Sequence, residues 1–167
     1  MKLLKAQWMI AGAALLASNV ASAELYGGVN YMAAELEVGS TDFDLGALYG
    51  RFGSQFNENL SGELRVGVGV SDDEVLGFNV EIDKYFGGYV RGSVPLNDGI
   101  MPYIIVGITD VDIDTDAGSD SDEDLSYGIG LDFKIDNQLM LNLEYMNMYD
   151  DDDVEITGLS IGAAATF

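Results

Sequence analysis

Leu125-Ser126-Tyr127-Gly128-Ile129-Gly130-Leu131-Asp132-Phe133-Lys134-Ile135 alternates without a break. Leu125, Tyr127, Ile129, Leu131, Phe133 and Ile135 fall on one side. Ser126, Gly128, Gly130, Asp132 and Lys134 fall on the other. A period of two is the signature of a β-strand with two unlike faces. Residues 60–70 repeat it, with Leu64, Val66, Val68 and Val70 set against Glu63, Arg65, Gly67 and Gly69. Residues 139–145 repeat it again, and the last strand aligns Leu159, Ile161, Ala163, Ala165 and Phe167.

Working outward from these segments predicts eight strands, at 24–37, 42–56, 60–71, 75–94, 101–111, 125–135, 139–149 and 154–167. The strand at 101–111 is ambiguous in face because Tyr103 to Ile108 is apolar throughout, and Lys84 interrupts the apolar face of the fourth. The connections alternate in character. Asn57-Glu58-Asn59, Pro95 to Ile100 and Asp136-Asn137-Gln138 are short polar turns, whereas 71–74, 112–124 and 150–153 are rich in acid, and 39–41, set between Glu37 and Asp42, is grouped with them. Pro95 and Pro102 flank one turn and are expected to stay out of the strands, where proline would remove a ladder hydrogen bond.

Alternation alone does not say which face points inward, and a soluble barrel with its apolar face inside has the same period. Charge placement decides. After residue 23 the only basic residues are Arg51, Arg65, Lys84, Arg91 and Lys134. Four of these share the polar strand faces with Glu63, Glu81, Asp83, Asp132 and Glu144. A balanced set of this kind can pair inside a narrow lumen, while unpaired buried charge is very costly. A sheet surface facing water has no need to concentrate scarce arginines. The fold predicted is an all-β, eight-stranded, antiparallel up-and-down transmembrane barrel, with Tyr and Phe near strand ends (Phe52, Phe56, Tyr103, Tyr127, Phe133, Tyr145, Tyr149) as interfacial girdles.

Residues 1–23 read as a signal peptide: Lys2 and Lys5, a short apolar run from Trp8, and the small-residue site Ala21-Ser22-Ala23. The barrel domain is then 24–167. The whole chain carries a formal charge of −22, and loss of the two leader lysines takes it to −24. Such a chain repels nucleic acid. Cysteine and histidine are both absent, which removes thiol chemistry, the commonest general base and the commonest zinc ligand.

The block Leu48-Tyr49-Gly50-Arg51-Phe52-Gly53, the following Phe56-Asn57-Glu58-Asn59-Leu60, Arg65-Val66-Gly67-Val68-Gly69 and the terminal strand ending in Phe167 resemble the small outer-membrane barrels of the OmpX/Ail and OmpA transmembrane-domain type. The resemblance implies a bacterial outer-membrane location, lipid and lipopolysaccharide as surroundings, and roles in envelope integrity, adhesion or resistance to host factors. It also implies that Phe167 ends the signal read by the barrel-assembly machinery.

An enzyme is not expected, and a paired-carboxylate site at Glu81 and Asp83 reads instead as part of a set of lumen ion pairs among Arg51, Glu63, Arg65, Glu81, Arg91, Asp132, Lys134 and Glu144. An open channel is also not expected, because an eight-stranded barrel is just wide enough to be filled by side chains. No cofactor is expected beyond weakly held calcium or magnesium. Asp112, Asp114, Asp116, Asp120 and Glu123 occupy positions 1, 3, 5, 9 and 12 of an EF-hand-like frame, with Ala117 where the turn glycine belongs. The bland alternative is a solvated acidic loop. The expected function is a monomeric, non-enzymatic barrel with a structural or surface-interaction role and acidic outer loops. A small-solute channel or a cation-binding surface protein is the alternative. Trp8 is the single tryptophan, so exported protein purified from the membrane should show no tryptophan emission. Emission at the usual tryptophan wavelength would mean that the leader is retained.

Overall fold

A sheet that crosses lipid cannot leave an edge open, because the hydrocarbon offers no partner to a backbone N–H. The computed structural model of the chain meets this by closing the sheet on itself. It describes residues 24–38, 41–71, 73–75, 78–96, 99–115, 118–151 and 154–167, with side chains described outside 38–41, 72–83, 97–98, 112–123 and 150–153. Eight long strands form the wall: β1 (Leu25–Val38), β2 (Thr41–Asn57), β3 (Leu60–Ser71), β5 (Phe78–Ser93), β6 (Ile100–Thr115), β7 (Gly118–Lys134), β8 (Leu139–Asp151) and β9 (Val154–Thr166). A three-residue strand, β4 (Asp73–Val75), pairs with β5. Every pairing is antiparallel, β3 pairs with β5, and β1 meets β9 from Tyr26↔Thr166 to Val38↔Val154. The amide of Phe167 donates to the carbonyl of Leu25 at 2.9 Å, which finishes the seam.

The outward side is apolar. Val66, Ile104, Ile129 and Ile161 are each more than 60% exposed. Around them stand Val29, Tyr31, Leu48, Phe52, Val90, Val106, Leu125, Leu143 and Leu159. A soluble monomer rarely leaves more than a few hundred Å² of contiguous apolar surface in water, whereas lipid requires such a belt. The outward runs Ile100–Ile108 and Leu125–Ile135 match the roughly 9–11 residues with which a tilted strand crosses a bilayer. The polar parity faces in: Arg51, Glu63, Arg65, Arg91, Asp132 and Glu144 are all buried.

Four expectations need correction. The acidic connection 112–124 is not a loop, because its residues extend the β6–β7 hairpin in register as far as Thr115↔Gly118. The fourth predicted strand is two, β4 and β5, and β5 carries a bulge between Ile82 and Lys84. The bulge interrupts the register between Glu81↔Asp114 and Tyr85↔Val111. Pro102 is taken into β6 near its start, a position that tolerates proline; its carbonyl accepts the amide of Val94 at 3.0 Å. Finally, Tyr103 belongs to the lumen and Tyr149 packs against the interior cluster, so neither joins an outer girdle. The ambiguous face of β6 is thereby settled, with Met101, Tyr103, Ile105, Thr109 and Val111 inside.

The short turns cap one end, where Glu24 and Thr166 also lie. In one of them the Asp136 carboxylate accepts the amides of Gln138 at 2.7 Å and Leu139 at 2.8 Å, which holds its carboxyl below the ordinary value. That contribution is present above the ordinary carboxyl range and is lost as pH falls through the lowered pKa. In another, Gly99 takes φ = 77°, the left-handed region that suits glycine.

A lone tryptophan replacing Ile104 or Ile161 should be quenched strongly by brominated lipid, and one replacing Tyr89 only weakly. The opposite order would turn the barrel inside out.

Candidate functional site: the lumen network and the acidic rim

Three guanidinium groups and three carboxylates fill the lumen toward the turn end and balance one another in charge. Glu63, on β3, is the hub. It accepts from Arg65 Nε at 2.6 Å, from Arg91 Nη1 at 3.2 Å and from the Tyr26 hydroxyl at 2.7 Å, and Arg51 Nη1 stands 3.7 Å away. Arg65 forks onto Glu144, with Nη1 donating to Oε1 at 2.5 Å and Nη2 to Oε2 at 2.7 Å. Paired contacts of this kind are the strongest a guanidinium makes. Arg91 Nη2 donates to Asp132 at 2.5 Å. Asn142 ties the group together by donating to the Tyr103 hydroxyl at 2.7 Å and to Asp132 at 2.9 Å, while Tyr103 donates to Glu144 at 2.8 Å. The Arg91 guanidinium lies 3.8 Å from the Tyr103 ring centre, and that of Arg65 lies 4.7 Å from the ring centre of Tyr89, a geometry that adds cation–π attraction.

The backbone explains how this packs. Arg51 and Arg65 are directly opposite across β2 and β3, a placement of like charges that is unfavourable unless an anion sits between. Glu63 does so. The tyrosines need floor space, and glycines supply it: Tyr26 lies over Gly53 and Tyr103 over Gly130, where a methyl group would collide with the ring.

Of the residues expected to pair in the lumen, the structure brings together Arg51, Glu63, Arg65, Arg91, Asp132 and Glu144. Lys134 does not join them. It is exposed at the last position of β7, beside the short turns, where water already solvates it. The side chains of Glu81 and Asp83 lie outside the described residues. The tyrosines, Asn30, Asn142, Thr109 and Ser126 also line the lumen. For Tyr49, Tyr85 and Tyr89 the available signal was parity with Arg51 or Arg91 on the same strand.

At the opposite end the acids form a rim. Glu35 is opposite Asp44, Glu37 is opposite Asp42 on one side and Glu155 on the other, and Asp110 is opposite Glu123. Among the described residues, Glu35, Glu37 and Asp42 bring one carboxylate oxygen each within 4.8 Å of one another. Among the described residues, the EF-hand-like frame runs along paired strands. Asp112 and Asp114 pair with Ser121 and Ser119 in extended strands, Asp120 pairs with Ile113, and Glu123 with Asp110. Asp116 and the side chains of this set lie outside the described residues.

Replacing Glu63 by Gln should leave three guanidinium groups facing two carboxylates and cost about 3–5 kcal/mol in reversible urea unfolding from lipid vesicles. Glu144→Gln should cost less, because Glu144 pairs with Arg65 alone, which keeps Glu63, whereas Glu63 faces all three guanidinium groups. Equal effects would remove Glu63 from its central role.

The sequence matches the outer membrane protein beta-barrel domain family over residues 8–167. No curated protein matches it. Among solved structures, Ail, the attachment invasion locus protein of Yersinia pestis, is similar at 17% identity and a TM-score of 0.66, covering 87% of this chain and 99% of that one, in a complex with the heparin analogue sucrose octasulfate. Neisserial surface protein A is similar at 13% identity and a TM-score of 0.70, covering 86% and 97%. OprG, an outer membrane protein of Pseudomonas aeruginosa, is similar at 11% identity and a TM-score of 0.56, covering 87% and 95%. At these identities the likeness shows the fold. With the family match over nearly the whole chain and the lipid-facing belt, the conclusion is that the chain belongs to the outer membrane protein beta-barrel domain family and resides in the bacterial outer membrane.

Proposed function

We propose that this protein is a non-enzymatic component of the envelope, a monomeric filled barrel that strengthens the outer membrane and presents an acidic rim to the medium. The observation that carries this reading is the division of charge. Every buried guanidinium faces a carboxylate inside the lumen, while acids stand opposite acids at the rim. A lumen packed with paired long side chains has no room for a solute, so the role falls to the outside. Export through the leader 1–23 and topology with the acidic hairpins outward belong to the same reading. The rim repels polyanions, so the surface chemistry differs from that of a barrel that binds a sulfated sugar, as the Ail structure does.

A second reading is that the rim holds calcium or magnesium weakly and bridges to lipopolysaccharide phosphates. The proximity of Glu35, Glu37 and Asp42 favours it. Carboxylates without a closed cage bind in the range of weak extracellular calcium sites, about 10⁻⁴–10⁻³ M. Assembly in this reading depends on Phe167, which is exposed and stands 6.4 Å from the Phe52 ring at the closing seam.

An epitope inserted after Gly118 should be labelled on intact cells, and deletion of the gene should sensitise cells to detergent. Labelling only after permeabilisation would reverse the topology, and a deletion strain as robust as its parent would remove the structural role. Calorimetry should show calcium uptake that falls when Glu35, Glu37 and Asp42 become amides; unchanged uptake would leave only a solvated rim. Removal of Phe167 should lower outer-membrane levels several-fold while refolding in detergent persists, and normal abundance would refute its part in assembly.

A further inference from the structure

The lumen changes character along its axis, and the outer face changes with it. On β1 the outward residues run Val29, Tyr31, Ala33 and then Glu35 and Glu37, while the inward ones run Tyr26 and Asn30 and then Met32, Ala34 and Leu36. On β2 the outward Phe52 and Leu48 give way to Asp44 and Asp42, and the inward Arg51 and Tyr49 give way to Ala47, Leu45 and Phe43. On β9 Leu159 and Ile161 point out, but Ile156 points in. On β8 Leu143 and Tyr145 point out, but Met146 and Met148 point in. On β6 Ile104, Val106 and Ile108 point out, but Val111 points in. On these five strands apolar parity reverses toward the loop end.

A sheet in lipid is apolar outside, whereas one surrounded by water is apolar inside. The reversal therefore marks where the wall leaves the hydrocarbon. Above it Met32, Leu36, Leu45, Val111, Met148 and Ile156 form one buried cluster, with Phe43, Tyr149 and Val154 packed against it. Those six side chains carry no N–H or O–H, and the tyrosines of the same cluster commit their hydroxyls to lumen partners, Tyr49 to Arg65, Tyr85 to Tyr89, Tyr89 to Thr109 and Tyr103 to Glu144; a void lined by apolar side chains stays dry.

We propose that the loop end of the barrel is a water-soluble extension of the wall whose apolar interior forms a dry septum, sealing the polar lumen from the aqueous phase at that end. The septum is a barrier distinct from the ion-pair network. It goes beyond the envelope role, because it holds whichever partner the rim meets. Its boundary is set by the apolar pairs at which parity turns over, Tyr31-Met32, Ala47-Leu48 and Tyr145-Met146.

Isosteric Ser→Cys replacements in the full barrel in nanodiscs test this with a charged, water-soluble thiol reagent. Ser71→Cys, exposed at the loop end, should react freely. Ser160→Cys, buried in the lumen, should react at least about 100-fold more slowly. Leu45→Ala with Ile156→Ala should speed Ser160→Cys about tenfold or more and leave Ser61→Cys, buried near the turn end, unchanged. Variants are scored only if they keep the gel shift of a folded barrel; if the double variant does not, Leu36→Ala replaces it. Reaction of Ser160→Cys within a few-fold of Ser71→Cys in the intact barrel would overturn the septum. So would a folded septum variant in which Ser160→Cys is no faster.

Discussion

Every N–H and C=O within the hydrocarbon must find its partner in the wall itself, and this constraint orders the rest of the molecule. It requires closure, met by the long β1–β9 register and by the amide of Phe167 on Leu25. Closure with eight strands leaves a lumen only as wide as side chains can fill. A belt facing lipid must be apolar, so the alternate residues face inward, and alternation makes that inward set polar. Polar groups placed there must satisfy one another. Arg51, Arg65 and Arg91 are three of the five basic residues after residue 23, and all three are spent inside on Glu63, Glu144 and Asp132.

The rim follows from the same allocation. With most of the cations committed to the lumen, few remain for the acids of the rim, Glu35, Glu37, Asp42 and Glu155 among them. Like charges directly opposite on paired strands are destabilising, and salt screens them only over about 8 Å at physiological strength. The hairpin arms tolerate this because water surrounds their outer face and because their inner face packs Leu36, Leu45 and Ile156. One face of each arm supplies cohesion while the other carries repulsion.

The eight-stranded barrel and its inward arginines were legible in the sequence because period two survives in the strands that carry them. What escaped lies where a local rule changes. The acids of 112–124 look like a loop by composition, yet they continue the ladder, because charge does not prevent an antiparallel arm from pairing. The bulge between Ile82 and Lys84 has no compositional mark. Tyr103 stands in a wholly apolar run, so only the register with Gly130 and the bond to Glu144 place it. The shift of apolar parity at Tyr31-Met32 was visible as two adjacent apolar residues of opposite face. Its meaning depends on knowing where lipid ends.

The tyrosines seated on glycines carry a consequence for how this lumen can change over time. Gly53 with Tyr26, and Gly130 with Tyr103, each divide one volume between two positions. A larger residue at the glycine collides with the ring. A smaller one at the tyrosine opens a hole and also removes a hydroxyl that donates to Glu63 or Glu144. Neither partner can drift alone. Replacement has to proceed through two coordinated changes, with a disfavoured intermediate between them, so these couples should behave as single heritable units in a wall whose lipid-facing valines and leucines exchange freely.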